Sequence, residues 1–309
     1  MQKLAIKLQY FLIALLMVGV FTSCDKDDDP VVVESKNIVQ TAVGDPQFSI
    51  LVSALQKANL VSALEDTGPF TVFAPTNAAF NALFAQLDVS GINDLSAEIL
   101  TPILLNHVVS GSVKSTDIAT GYANTLNSSA PGQNFVNIYI EKTTSVKVDG
   151  SNVTAADVMA SNGVIHVIDK VIVPASVVSH AINNPGFSTL VAAVLKADLA
   201  SALSATGPFT VFAPTNEAFA KLFTALGVSG IADLTAEQLT PILLYHVVSG
   251  NVRAAQVTSG SAPTLNTASN IDVVVTGGSV KLNGTSNVIA TDVQGTNGVI
   301  HVIDTVLVP

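Results

Sequence analysis

The 309-residue chain is expected to form two tandem α+β domains, each with helices packed against a largely antiparallel or mixed β-sheet. Three observations lead there. The sequence repeats itself: GPFTVFAPTN at 68–77 recurs unchanged at 207–216, LTPILLNHVVSG at 100–111 returns as LTPILLYHVVSG at 239–250, and NGVIHVIDKVIVP at 162–174 returns as NGVIHVIDTVLVP at 297–309. Repeats of this length are independent domains rather than solenoid units. Apolar residues early in each repeat fall at helical spacing, and the later half of each repeat turns β-rich, with Gly and Asn between the runs. The first two motifs share one repeat interval and the third has a shorter one, so the second repeat has lost residues from an intervening loop.

Residues 1–23 read as a secretory leader, with Lys3 and Lys7 before the apolar run from Tyr10 to Phe21. The only cysteine, Cys24, follows at once and has no partner for an intramolecular disulfide. VFTSC resembles the lipobox of bacterial lipoproteins, which makes Cys24 the expected lipidation site and the membrane a partner through that lipid. Residues 24–36, opening with Asp25-Lys26-Asp27-Asp28-Asp29-Pro30, form an acidic tether. This block is similar to the export signal of surface lipoproteins in Bacteroidetes-type bacteria, so the expected address is the outer membrane, lipid-anchored and facing outward.

Domain 1 is placed at 37–174 and domain 2 at 178–309, with so short a link that the two should pack closely. Phe48, Leu51, Val52, Leu55 and Ala58 predict an amphipathic opening helix, as do Phe187, Leu190, Val191, Val194 and Leu195. Gly68-Pro69 and Gly207-Pro208 break the chain before the β-rich Phe-Thr-Val-Phe-Ala. Asn77 and Asn216 are expected to cap a helix carrying Phe80 or Phe219, Ser96 and Thr235 to cap the next one, and Pro102 and Pro241 to kink it. The runs around Val146 and Val148, and from Val164 to Val173, close domain 1 as strands.

TVFAPTNAAF and TVFAPTNEAF, with the two NGVIHVID endings and the middle run LLYHVVSG, resemble the signatures of fasciclin domains. The resemblance covers nearly all of the chain after the tether. It implies a compact wedge of sheet and helices displayed outside cells, with a role in adhesion or cell-surface recognition. In that family a Tyr-His pair in the middle motif is associated with adhesive recognition, which makes Tyr245 and His246 the candidate partner-binding residues. Domain 1 departs from the pattern with Asn106-His107. Tyr245 has a second reading as half-buried core.

Little else points to chemistry. His166 with Asp169, and His301 with Asp304, have the composition of a catalytic pair, but residues three apart in a strand face opposite ways. They are expected to be structural, as are His107, Asp157 and Asp292. No nucleophile elbow, zinc helix, phosphate loop or dinucleotide fingerprint occurs. No catalytic residue, metal or cofactor is assigned. Hydrophobic residues make up 49% of the chain and supply two cores, while charged residues are only 12% and the formal net charge is -10. That balance excludes nucleic acid, which needs clustered Lys and Arg. The sequence therefore supports a non-enzymatic surface lipoprotein that binds an extracellular protein or glycan, with self-association left open. The competing reading is a carbohydrate-binding accessory protein of the cell envelope, against which stand the lack of Trp and 6% aromatic content.

Overall fold

The computed structural model describes residues 35–309; the leader, Cys24 and all but the end of the tether lie outside the described residues. Domain 1 runs α1 (Ile38–Val43), α2 (Ser49–Lys57), α3 (Val61–Glu65), β1 (Phe70–Pro75), α4 (Asn77–Leu87), α5 (Ala97–Leu105), β2 (Val108–Ser110), β3 (Gly121–Asn124), β4 (Asn137–Lys142), β5 (Val146–Val148), β6 (Ser151–Ala160) and β7 (Gly163–Ile168). Domain 2 repeats the order as α6 (Val177–Asn183), α7 (Ser188–Lys196), α8 (Ala200–Leu203), β8 (Phe209–Pro214), α9 (Asn216–Leu226), α10 (Ala236–Tyr245), β9 (Val247–Ser249), β10 (Gly260–Pro263), β11 (Asn270–Thr276), β12 (Ser279–Leu282), β13 (Ser286–Gly295) and β14 (Gly298–Ile303).

The expected opening helices are α2 and α7, and each is preceded by a shorter helix that periodicity did not reveal. Local chemistry starts α1: Asn37 Oδ1 accepts from Gln40 N, and Gln40 Oε1 accepts from Asn37 N, a reciprocal cap. Ser176 caps α6 and Val177 is already buried in the domain 2 core, so the second domain begins inside the expected linker. Thr76 and Thr215, not the following Asn, cap α4 and α9. Asn77 and Asn216 instead reach sideways, accepting from Ile50 N and Thr189 N at 3.0 Å and donating to Pro46 O and Pro185 O at 2.9 Å. Thr235 makes the expected cap on α10, whereas Ser96 occupies the cap position of α5 without a side-chain bond to its amides. Both helices continue through Pro102 and Pro241.

Each domain holds one seven-stranded mixed sheet, β2-β1-β7-β6-β5-β4-β3 and β10-β11-β12-β13-β14-β8-β9. Within each, the pairing of the first strand with the last is parallel, and all other pairings are antiparallel. The two edges of each sheet approach one another, with Leu126 N donating to Val108 O and Leu265 N to Val247 O at 2.8 Å, so the sheet curls nearly into a barrel. Two apolar cores result per domain. One lies between helices and sheet around Phe80, or Phe219 in domain 2; the other fills the curl around Phe73 and Ile138, or Phe212 and Ile271. Fully burying a side chain such as Phe80 stabilises the fold by about 1.5–3 kcal/mol.

The Asn-Gly that opens each closing motif explains how helices and sheet are fastened. A Cβ on Gly163 would sit 2.1 Å from Phe70 O, and one on Gly298 would sit 2.2 Å from Phe209 O, so only glycine lets the parallel pair form. The preceding Asn162 accepts from Ile38 N at 2.9 Å and donates to Leu64 O and Asp66 O at 2.8 Å. Asn297 does the same with Val177 N, Leu203 O and Ala205 O.

Candidate functional site

The strands keep the His and Asp of the closing motifs apart. His166 Nε2 donates to Val113 O at 2.9 Å and its Nδ1 accepts from Asp157 N at 3.3 Å, inside the fold. Asp169 lies on the other face, accepting from Asn152 N at 2.8 Å, Asn152 Nδ2 at 2.7 Å and Ser151 Oγ at 3.1 Å. In domain 2 His301 Nε2 donates to Val252 O at 2.8 Å, and Asp304 accepts from Asn287 N and Nδ2 at 2.8 Å. Burial pushes the His301 pKa down. Neither pair can pass a proton between its members, because each carboxylate fastens the neighbouring strand instead.

His107 and His246 are buried pins between a helix end and the strand exit. His107 Nδ1 donates to Ile103 O at 2.7 Å while Nε2 accepts from Ile172 N at 2.8 Å; His246 repeats this with Ile242 O at 2.8 Å and Leu307 N at 2.9 Å. Each ring therefore sits as a neutral tautomer with both nitrogens engaged. Burial lowers both pKa values to about 4, against the favourable helix carbonyl.

The expected contact role of Tyr245 and His246 is corrected by their burial, at 3% and 2% exposure. Tyr245 packs in the core inside the curled sheet; its hydroxyl donates to Asn270 O at 2.8 Å and accepts from Asn283 Nδ2 at 2.9 Å. A side chain so enclosed offers no area to a partner. In domain 1 the same position holds Asn106, whose Oδ1 accepts from Thr125 Oγ1 at 3.4 Å and Asn127 Nδ2 at 3.5 Å, while its own Nδ2 is buried without a partner among the described residues.

The surface where polar groups converge is the junction of the two domains. Tyr122 on β3 packs against the domain 2 core, its hydroxyl accepting from Asn184 Nδ2 at 3.0 Å and its ring standing edge-on to His180 at 5.7 Å. Asn137 Oδ1 accepts from Gln294 N at 2.6 Å, and His180 Nε2 donates to Gln294 O at 3.1 Å. Burial lowers the His180 pKa to about 4. Nearby, burial pushes Asp149 up to about 7, against the Tyr139 amide and the neighbouring Asn183 carboxamide. Asp149 Oδ1 accepts from Tyr139 N at 2.9 Å, and its Oδ2 has no partner among the described residues.

Sequence reasoning overlooked these junction residues because they do not repeat: Gln294 stands where domain 1 has Met159, and His180 where it has Thr41. Asn162 and Asn297 were visible in a repeated motif, and their buried, doubly donating carboxamides are what the repetition preserves. A separate apolar pocket of about 70 Å³ lies beneath α6 and α7, lined by Val177, Val194, Ala200 and Val211. Its domain 1 counterpart is only about 20 Å³. Among the described residues no group of three or more His, Cys, Asp or Glu gathers to hold a metal ion, and no helix is long and apolar enough to cross a membrane.

The sequence matches the fasciclin domain over residues 46–174 and again over 185–309. A cyanobacterial protein from Synechocystis, sll1483, is 50% identical over 134 residues, covering 43% of this chain and 73% of its own. Transforming growth factor-beta-induced protein ig-h3 of rabbit (Oryctolagus cuniculus) is 34% identical over 251 residues, covering 80% of this chain; the match spans only 35% of the rabbit protein. Among solved structures, a FAS1 domain pair from the insect cell adhesion molecule fasciclin I aligns over 88% of this chain and 96% of its own, at 21% identity and a TM-score of 0.48. With both repeats matched from the strand-opening TVFAPTN to the closing NGVIHVID, the chain belongs to the fasciclin domain family.

Proposed function

We propose that the protein is a cell-surface lipoprotein, anchored in the outer membrane through Cys24, whose paired fasciclin domains act as a non-enzymatic adhesion or matrix-binding module. The observation that carries this reading is the family membership of both domains, joined by a hydrogen-bonded junction that presents loops of each on one surface. Separation of the His and Asp side chains supports a binding rather than a bond-making role. The acidic residues after Cys24 support outward display.

Replacing Cys24 with Ala should move the protein from the membrane fraction to the soluble fraction, and a membrane-impermeant reagent should label the wild type on intact cells. Retention of Cys24→Ala in membranes rejects the lipid anchor, and labelling only after the outer membrane is broken rejects outward display. Binding is measured against matrix proteins and polysaccharides; failure to bind any of them rejects the module itself. The second reading is a carbohydrate-binding accessory protein of the cell envelope, favoured by an open groove of about 810 Å³ that residues of both domains line.

A further inference from the structure

Domain 1 carries a longer connection between Asn127 and Asn137 than domain 2 does between the matching Asn266 and Asn270. The added residues fold toward the other domain. Pro131 O accepts from Asn251 Nδ2 at 3.3 Å, and Asn134 Oδ1 accepts from Arg253 Nη1 at 2.9 Å. Between this loop and the bulged strand β13 lies an open groove of about 810 Å³, lined by both domains. Sites for small ligands are typically ~300–1,000 Å³.

Comparison of the two domains shows that the groove keeps polar capacity which the fold elsewhere consumes. In domain 1 the Asp157 carboxylate is capped twice, by Ser115 N and by the Ser115 hydroxyl. In domain 2 Ala254 replaces that serine, and among the described residues Asp292 accepts only from Ala254 N, at 2.8 Å. Its second oxygen accepts from none of the described residues. Arg253, the sole arginine of the chain, stands where domain 1 has Lys114. One of its nitrogens donates to Asn134, and the guanidinium keeps further N–H groups beside the groove. Phe135, 50% exposed, presents a ring to the same space.

We propose that this groove binds a neutral oligosaccharide, an assignment that rests on the surface-binding function above. A pyranose carries vicinal hydroxyls around its rim and C–H groups on its faces. The rim suits donors and acceptors set side by side: Arg253 donates, the second oxygen of Asp292 accepts and the Gln133 carboxamide can do both, while a face suits the Phe135 ring. One positive and one negative side chain line the groove, so its charge balances. A polyanionic glycan would require several bases, and a cation would require more carboxylates.

The test titrates the full-length protein in detergent with neutral gluco-, manno- and galacto-oligosaccharides, a sulfated polysaccharide and a set of matrix proteins. Saturable binding of a neutral oligosaccharide is expected. Phe135→Ala and Asp292→Asn should each weaken it by about tenfold or more, the loss of one well-placed contact. Ala254→Ser should weaken it too, because the new hydroxyl recreates the domain 1 bond to the aspartate, while Asp157→Asn should leave affinity unchanged. Thermal melting establishes that each variant is folded. Binding of matrix proteins without any neutral oligosaccharide overturns the groove assignment and retains the adhesion reading. Neutral binding indifferent to Phe135, Asp292 and Ala254 overturns the site, and binding confined to the sulfated polymer overturns the ligand class. Absence of all binding overturns both readings.

Discussion

The middle motif is the same in the two domains except for one residue, and that residue sets two different interiors. Tyr245 fills the curl of the domain 2 sheet and ends on two hydrogen bonds, whereas Asn106 leaves domain 1 with a small polar cluster and a buried amide without a partner. The histidine that follows is held identically in both. Both domains thus pin helix to strand exit with the same histidine, beside either a large aromatic or a polar residue. A family signature residue can therefore be a packing residue in one domain and be replaced in the next without loss of topology.

The largest test of that contrast is truncation at the two matched sites. Tyr245→Ala should destabilise domain 2 by about 3–5 kcal/mol, the range for emptying an aromatic core position. Asn106→Ala should cost domain 1 roughly 1 kcal/mol or less, since it removes weak bonds together with an unpartnered donor. Denaturant unfolding followed by hydrogen exchange, which reports the domains separately, measures both. Equal losses would break the comparison.

Acid should separate the domains next. His107 and His246 have pKa values lowered to about 4 and burden both domains alike, while His180, also lowered to about 4, belongs to domain 2 alone. As pH falls from 6.5 to 4 the unfolded chain binds more protons at these rings than the folded one, so stability is lost. Asp149 in domain 1 works in the opposite direction: its folded pKa is raised to about 7 from 3.8, so the folded state binds the extra proton and gains stability as pH falls through that window. Domain 2 is expected to open at a higher pH than domain 1. Asp149→Asn should narrow that gap, and an unchanged gap in hydrogen exchange between pH 7 and 4 would remove Asp149 from the explanation.

The smallest expected effect concerns the pocket under α6 and α7. Val177, Val194 and Ala200 stand where domain 1 has Ile38, Leu55 and Val61, and the missing methyl and methylene groups account for the larger cavity of domain 2. Val194→Leu with Ala200→Val should raise domain 2 stability by about 0.5–2 kcal/mol, as cavity filling commonly does. A loss instead would show that the pocket has closed around the smaller side chains.

The repeat made the two-domain plan legible, and hydrophobic periodicity located α2 and α7. It missed α1 and α6, whose few residues are fixed by Asn37 and Ser176 caps rather than by a long apolar stripe. His166 and Asp169 face apart, and residues three apart in extended chain do so as a local property of the backbone. The burial of Tyr245 was legible only as the second of two readings: its depth depends on Asn270 and on Asn283 in the turn after β12, which the sheet brings together beneath it. The junction was hidden for the same reason, since Asn137 meets Gln294 only after both sheets have formed.

The parallel pairing of β1 with β7 has a consequence for synthesis. Phe70 must wait about ninety residues for Gly163, so one edge of β1 remains open while the rest of its domain emerges. The arrival of Asn162-Gly163 then closes the sheet and, through the same carboxamide, fastens α1 to α3. A chain made from its amino end therefore carries an unsealed domain until this dipeptide arrives, and the open edge of β1 is exposed to aggregation until then. The closing motif works as a latch that is delivered last.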